Sequence, residues 1–296
     1  MLSTVEVTID AFVRELHDGY RRTWGEVEPE NPSIIAWVAS TALEVISQSD
    51  ALYHDVEHTV HVTLVGQELL RGLHIKRGGV SPADWLQVIV SLLCHDIGYV
   101  RGICRRDKGL VCATGRGDEC VTLPEGATDA SLTPWHVDRS KLFVEERFGR
   151  APKVDVEAVK RNILGTRFPV PGAEERRAME GYPRLVRAAD LIGQLSDPRY
   201  LKKIPALFHE FEETGVNRQL GYRHPGDLRR NYPRFFWSSV HPYIAEMLEL
   251  LPLTERGLQV RANLFSNVFM VEHETGFADG PAAAAGAATE PPPAAG

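Results

Sequence analysis

The sequence has little of what would direct a protein to a membrane or to nucleic acid. Its longest apolar runs, such as Leu86–Cys94, are far shorter than the roughly 20 residues that a transmembrane helix needs. The N-terminus carries acidic residues among its apolar ones and has no continuous apolar stretch of the signal-peptide type. Basic residues are outnumbered, with 33 Lys and Arg against 40 Asp and Glu and a formal net charge of −7. We therefore expect a cytoplasmic protein that binds neither a membrane nor a nucleic-acid polymer.

Cysteine is also scarce, and its spacing does not suit a structural zinc site. The chain has four cysteines, and Cys104, Cys112 and Cys120 recur every eight residues without any CxxC pair. Structural zinc is usually held by closely spaced cysteine pairs. In a reducing compartment thiols do not form lasting disulfides. We interpret these cysteines as free thiols without a ligand role.

Helical periodicity is the dominant pattern, because apolar residues recur at helix spacing along most of the chain. The segment Trp85–Cys94 is apolar nearly all round, which predicts a central buried helix. Helices are expected over about 7–24, 31–47, 52–73, 82–94, 135–148, 154–164, 183–195, 199–213, 242–251 and 255–274. The stretch that follows Gly215 is predicted to be rich in loops. The fold class is predicted to be all-α.

Two stretches interrupt the helical pattern. Residues 101–133 contain five Gly, one Pro and three Cys without helical period, which predicts a long irregular insertion with a hairpin around Gly115–Gly117. Residues 278–296 are almost entirely Ala, Gly and Pro and are predicted to be disordered. The rest is expected to be a single helical domain over 1–277, with a core at about 32–215 and C-terminal helices within 242–274.

The first candidate site residues along the chain are histidines in the stretch Leu52–His61, LYHDVEHTVH. His54 and His58 stand four residues apart, so both imidazoles face the same way on a helix or at its beginning. The pair could share a metal ion, or one histidine could bind metal while the other transfers a proton. The nearby His61 is interpreted as a packing or solvent-facing residue.

Three further polar residues lie within apolar segments or directly after them. His95 and Asp96 come directly after the buried helix, and Asp190 lies among Leu, Ala and Ile residues. A carboxylate in apolar surroundings needs a cation or an arginine beside it. Together with His58, these residues form a mixed nitrogen and oxygen set that suits zinc, iron or manganese better than calcium.

The order of these residues resembles that of the HD-domain metal-dependent phosphohydrolases and, among them, the class I cyclic-nucleotide phosphodiesterases. The resemblance is carried by YHDVEHTVHV at Tyr53–Val62, LLCHDIG at Leu92–Gly98 and AADLIGQLSDP at Ala188–Pro198. It implies an HD-type helical bundle with a long loop insertion after the HD motif. The residues that would hold the tighter metal ion (Zn, Mn or Fe) are His58, His95, Asp96 and Asp190.

The resemblance also implies a reaction. His54 would be the general acid, and Asp96 would bridge to a second ion, Mg or Mn. The substrate would be a small-molecule phosphoester, with a cyclic nucleotide or a nucleotide monophosphate favoured, cleaved by metal-activated water. A regulatory HD module that binds metal without turnover is the alternative, and homo-oligomerisation is left open.

Other residues near these motifs have less defined expectations. His136 lies roughly where related families place an additional histidine near the metal, and Arg187, one turn before Asp190, could meet a substrate phosphate. Arg139, Lys141 and Arg167 could do the same or serve as structural cations. Asp55 departs from the resemblance, since an asparagine usually follows the first histidine.

Overall fold

The computed structural model describes residues 3–168 and 180–274 and has an all-α fold, as predicted. Short 3-10 turns lie at Ile97–Tyr99, Asp129–Leu132 and Leu251–Leu253. The α-helices within those ranges are α1 (Thr4–Trp24), α2 (Asn31–Ile46), α3 (Val56–Arg77), α4 (Pro82–Cys94), α5 (His136–Phe148), α6 (Val156–Leu164), α7 (Tyr182–Ser196), α8 (Tyr200–Glu213), α9 (Val216–Leu220), α10 (Pro225–Phe235), α11 (His241–Leu248) and α12 (Glu255–Glu274). No described helix is both long and apolar enough to cross a membrane.

Helix α4 lies in the centre of the fold, as its apolar sequence predicts. Every residue of Trp85–Cys94 is buried, and the helix packs against α2, α3 and α6. Its first turn is fixed by a capping box in which Ser81 and Asp84 each accept a backbone N–H from the other. The end of α4 therefore brings the following His95 and Asp96 into the interior.

Helices α3 and α7 make the most extensive contact between helices. Their close approach depends on Gly193, because a Cβ atom there would lie 2.6 Å from the Cα atom of Val62. The contact brings the middle of α7, where Asp190 lies, beside the first turns of α3. Two candidate ligands that are far apart in sequence are thus placed together by helix packing.

Helix α3 begins later than the predicted Leu52. Its first residue is Val56, because Asp55 has extended backbone angles and its Oδ1 atom accepts the N–H of His58 at 2.9 Å. His54 consequently precedes the helix, and it does not share a helix face with His58. The predicted start of this helix at Leu52 was therefore four residues too early, and His54 lies at the entry of α3.

The prediction of a loop-rich stretch after Gly215 was also wrong. Helices α9 and α10 occupy most of it, and a π-helix at Phe236–Val240 leads into α11. Pro225 is the first residue of α10, where a missing N–H costs no hydrogen bond, so this proline starts a helix. The predicted tail 278–296 lies outside the described residues.

The insertion 101–133 is ordered around one arginine. Strands β1 (Val111–Ala113) and β2 (Cys120–Thr122) pair antiparallel, so the predicted hairpin is confirmed. The fully buried Arg139 of α5 donates to the carbonyls of Gly98, Val100 and Ala113 and forms a buried ion pair with Asp107. This guanidinium therefore ties the insertion to the helices that surround the candidate site.

Candidate metal centre and adjoining histidines

The four predicted metal ligands converge from three parts of the chain. His58 Nε2 lies 3.1 Å from Asp96 Oδ2 and 3.5 Å from Asp190 Oδ1. His95 Nε2 lies 3.1 and 3.6 Å from the same two oxygens. Ligand atoms of His58, His95 and Asp190 all lie within 4.8 Å of one another. The two imidazoles and two carboxylates thus surround one small volume.

The orientation of the imidazoles fits a divalent cation. Among the described residues, the buried Nε2 atoms of His58 and His95 have no hydrogen-bond partner, although carboxylate oxygens are close. The Nδ1 atom of His95 is 2.7 Å from the carbonyl of Leu92, which can only accept, so Nδ1 carries a proton. In the neutral ring Nε2 then presents a lone pair. Lone pairs and carboxylates facing one another require a cation between them.

Protons compete with a metal ion for these atoms. Burial alone would lower the pKa of His58 and of His95, but the carboxylates of Asp96 and Asp190 outweigh it and raise both. Burial would raise the pKa of Asp190, yet the two imidazoles lower it to about 2, and that of Asp96 lies well below its usual value. Both carboxylates are therefore ionised at neutral pH. A metal ion must displace protons from the imidazoles.

His54 lies beside this centre and has a different partner. Its Nδ1 atom is 2.6 Å from Oε2 of Glu210, and Oε1 of Glu210 accepts the backbone N–H of Tyr53 at 2.7 Å. Burial alone would lower the pKa of His54, but the charge of the buried Glu210 outweighs it and raises this pKa to about 9. His54 thus carries a proton at neutral pH.

His136 is on the other side of a tyrosine that the sequence analysis did not single out. The Tyr99 ring is stacked between His54, at 4.3 Å between centroids, and His136, at 4.5 Å. His136 Nε2 is 3.8 Å from Asp96 Oδ1, and its Nδ1 donates to the carbonyl of Thr133 at 2.6 Å. His136 therefore lies next to the predicted metal ligands.

Asp55 and Arg187 have structural partners. Asp55 caps α3, so its charge meets the positive end of the helix and holds the backbone of His58. Arg187 is buried, its Nε atom donates to the carbonyl of Gly165 at 2.7 Å, and its guanidinium lies 5.9 Å from the Tyr243 ring centroid. The expected phosphate contact of Arg187 stays a prediction.

The remaining predicted cations are engaged in ion pairs. Arg139 holds Asp107 inside the insertion. Lys141 and Arg167 both contact Asp138, at 2.9 and 2.8 Å. Burial would raise the pKa of Asp138, but Lys141, Arg116 and Arg167 together lower it to about 2. These contacts favour the structural role over the phosphate role for Arg139, Lys141 and Arg167.

His61 belongs to a second group of potential ligands with Glu57 and Asp197. Lys203 already lies between the two carboxylates, 2.9 Å from Glu57 and 2.7 Å from Asp197. Its ammonium group supplies the cation that these acids require. This group is therefore a weaker metal candidate than the buried one.

Sequence reasoning missed Glu210 and Tyr99. Glu210 is one of three glutamates near the end of α8, and only it is buried, three residues after the buried Leu207. Its position on the apolar face of the helix could have indicated burial from the sequence. It could not have indicated the partner, His54, which is 156 residues away. Tyr99 follows the HD motif, and no sequence pattern predicts that two imidazoles stack on it.

Comparison with known proteins places the chain in a family without assigning a function. No curated protein and no solved structure matches it. A family model described as Npun_R2479-like matches residues 2–274, a range that includes every residue that the structure describes. The chain therefore belongs to the Npun_R2479-like family.

Proposed function

We propose that this protein is a metal-dependent phosphoester hydrolase of the HD type. The observation that carries the proposal is a convergence of two buried, unpaired imidazole nitrogens and two carboxylates beside a protonated histidine. The resemblance in the order of the motifs supports the same reading. A small-molecule phosphoester, such as a cyclic nucleotide or a nucleotide monophosphate, is the substrate that we favour.

His58, His95, Asp96 and Asp190 would hold the tighter metal ion. Their mixed nitrogen and oxygen donors suit Zn, Mn or Fe, and the second oxygen of Asp96 could reach a second ion such as Mg or Mn. A bound divalent cation would lower the pKa of an attacking water toward about 7 and would supply charge that offsets an anionic phosphate. The two carboxylates, ionised at neutral pH, hold the imidazoles in place around this charge.

His54 supplies the proton that the leaving group requires. An alkoxide is a poor leaving group, so protonation of the departing oxygen lowers the barrier to cleavage of the phosphoester bond. Glu210 keeps His54 protonated and fixes its Nδ1 atom, which leaves Nε2 as the atom that can donate to a substrate. A module that only stores or senses metal has no use for such a proton donor. The His54–Glu210 pair therefore favours an enzyme over a regulatory module.

The test begins with the metal content of protein purified without chelator. The purified protein is then assayed with cyclic nucleotides, nucleotide monophosphates and a chromogenic phosphodiester, with and without added Mn²⁺, Zn²⁺ and Mg²⁺. We expect bound metal and metal-stimulated release of product. Retained metal without turnover on any of these substrates would contradict the proposal and favour the regulatory module.

The variant His54→Ala separates the acid from the ligands. We expect its metal content to equal that of the wild type while turnover falls by about 10²–10⁴-fold, the usual contribution of general acid catalysis. His61→Ala is the matched control, because His61 lies in the same stretch of chain and contacts Glu57 and Asp197 instead. Near wild-type hydrolysis by His54→Ala would remove His54 from the mechanism.

A further inference from the structure

Tyr99 is enclosed by the two histidines that flank the candidate metal centre. Its ring is inclined by only 16° to that of His54 and by 18° to that of His136, and only 3% of the residue is exposed. Three nearly parallel rings thus form one stack along the edge of the site. In the proposed hydrolysis His54 is the general acid, and Tyr99 has no part.

Each of the two imidazoles is held by a hydrogen bond at Nδ1, and His54 also has edge contacts with the rings of Tyr53 and His58. His54 is hydrogen-bonded through Nδ1 to Glu210, and His136 through Nδ1 to the carbonyl of Thr133. One hydrogen bond fixes the position of one ring atom but leaves the plane of the ring free to tilt about it. A flat surface against the face of the ring removes that freedom. Tyr99 provides such a surface to both histidines.

The backbone of Tyr99 is itself tightly held. Tyr99 ends the 3-10 turn that follows the HD motif, and its N–H donates to the carbonyl of Asp96 at 3.1 Å. The preceding Gly98 donates its N–H to the hydroxyl of Ser140 at 2.9 Å. A Cβ atom on Gly98 would lie 1.9 Å from the carbonyl oxygen of His136, so the turn lies directly against α5. Tyr99 and the candidate ligand Asp96 therefore belong to the same short, hydrogen-bonded segment of backbone.

We propose that Tyr99 is a positioning residue, whose ring sets the orientation and separation of the His54 and His136 imidazoles relative to the metal ligands. Its effect on turnover rests on the proposed hydrolase function. Its effect on the geometry of the two histidines does not. The positioning depends on the aromatic face, so we expect Tyr99→Phe to preserve it and Tyr99→Leu to lose it.

The geometric test uses NMR of the full chain labelled in its histidines. In the wild type, the ring protons of His54 and His136 should be shifted upfield by the Tyr99 ring current and should show nuclear Overhauser contacts with its ring protons. Tyr99→Phe should keep these upfield shifts. Tyr99→Leu should move the ring-proton chemical shifts of both histidines toward those of unstacked imidazoles. Absence of the shifts and contacts in the wild type would overturn the proposal, whether or not the leucine variant folds.

The kinetic test compares the same variants with Tyr232→Leu. Tyr232 is equally buried but packs against Tyr200, so its loss controls for general destabilisation. For Tyr99→Leu we expect kcat to fall about 10- to 100-fold with little change in KM. Misplaced catalytic groups stabilise the transition state less well, while substrate binding is little affected. Tyr99→Phe should restore turnover, and Tyr232→Leu should leave kcat and the two histidine shifts unchanged.

The outcomes distinguish this inference from the proposed function. If the wild type hydrolyses no phosphoester but the NMR differences are found, the hydrolase proposal fails and the positioning role stands. If the wild type is active and Tyr99→Leu keeps both its kcat and its histidine shifts, the positioning role fails alone.

Discussion

The histidines of the candidate site have different partners, and the roles proposed for them follow from this difference. His54 meets one buried carboxylate through Nδ1 and keeps its proton. His58 and His95 instead present buried Nε2 atoms without a hydrogen-bond partner in the described chain. A proton donor and a metal ligand need opposite protonation states at neutral pH. The surroundings of each ring, and not the HxxxH spacing, separate the two roles.

The variant Glu210→Gln tests the source of the raised pKa of His54. Without the carboxylate the pKa of His54 should fall from about 9 toward its ordinary value near 6.5. Since the acid must be protonated, the alkaline limb of the pH–kcat profile should move to lower pH by the same amount. The control is Glu212→Gln on the same helix, whose carboxylate contacts Asn217. Superimposable profiles for the wild type and Glu210→Gln would contradict this assignment.

The variant His95→Ala tests the ligand role directly. The imidazole is fully buried and lies 3.1 Å from the Asp96 carboxylate, so its loss removes one donor and leaves two anions poorly compensated. We expect stoichiometric metal in the wild type and strongly reduced metal in His95→Ala, measured by elemental analysis after gel filtration. His74→Ala, which changes a histidine that packs against Trp24, should keep wild-type metal content.

At the scale of elements, the start of α3 explains the departure from the expected asparagine. Asp and Asn both cap helices well, because either side chain can accept an N–H of the first turn. Asp55 does so with the N–H of His58, so the cap and a candidate ligand are held together. An acid at this position is therefore compatible with the proposed phosphate site, since its charge is directed at the helix end.

We accordingly expect Asp55→Asn to be nearly neutral and Asp55→Ala to destabilise the fold. The loss of the cap should lower the free energy of unfolding by about 1 kcal/mol. Chemical denaturation of the wild type and both variants provides the measurement. Equal stability of Asp55→Ala and the wild type would show that the cap contributes nothing.

The insertion depends on the buried pair of Arg139 and Asp107. Removal of the guanidinium would leave Asp107 and three carbonyl groups buried without their donor. We expect Arg139→Met to lose about 3–5 kcal/mol of stability, the usual effect of breaking a buried ion pair. Limited proteolysis should then cut within 101–133 first. Arg106→Met, an exposed arginine of the same insertion, is the control and should change little.

At the scale of the whole molecule, the candidate metal centre joins α3, the end of α4 and α7. A bound ion would therefore stabilise the fold as a whole, because it binds the folded arrangement only. Protons compete for His58 and His95, whose pKa values are raised, so this stabilisation should shrink as the pH falls. We expect chelation to lower Tm at pH 8 more than at pH 6.

Thermal denaturation with and without chelator at the two pH values measures this effect. His54→Ala should respond like the wild type, whereas His95→Ala should show no shift on chelation. An equal shift in Tm for His95→Ala and the wild type would place the metal elsewhere.

Local pattern was sufficient for much of the fold. The predicted bounds of α1, α2, α5, α7, α8 and α12 differ from the observed ones by at most three residues, since apolar periodicity is a property of contiguous residues. His95, Asp96 and Asp190 became candidates because each interrupts an apolar helix or follows its end, and His58 because it stands four residues after His54. At Pro225, however, local reasoning predicted a loop where a helix begins, and that prediction was wrong.

By itself, then, the sequence determined an all-α chain with a buried α4 and a set of His and Asp residues in a telling order. Only the tertiary structure decided that Glu210 meets His54 and that Tyr99 lies between two imidazoles. The physical reason is that propensity and periodicity act over a few residues. The packing of α3 against α7, and of α8 behind His54, joins residues more than a hundred positions apart.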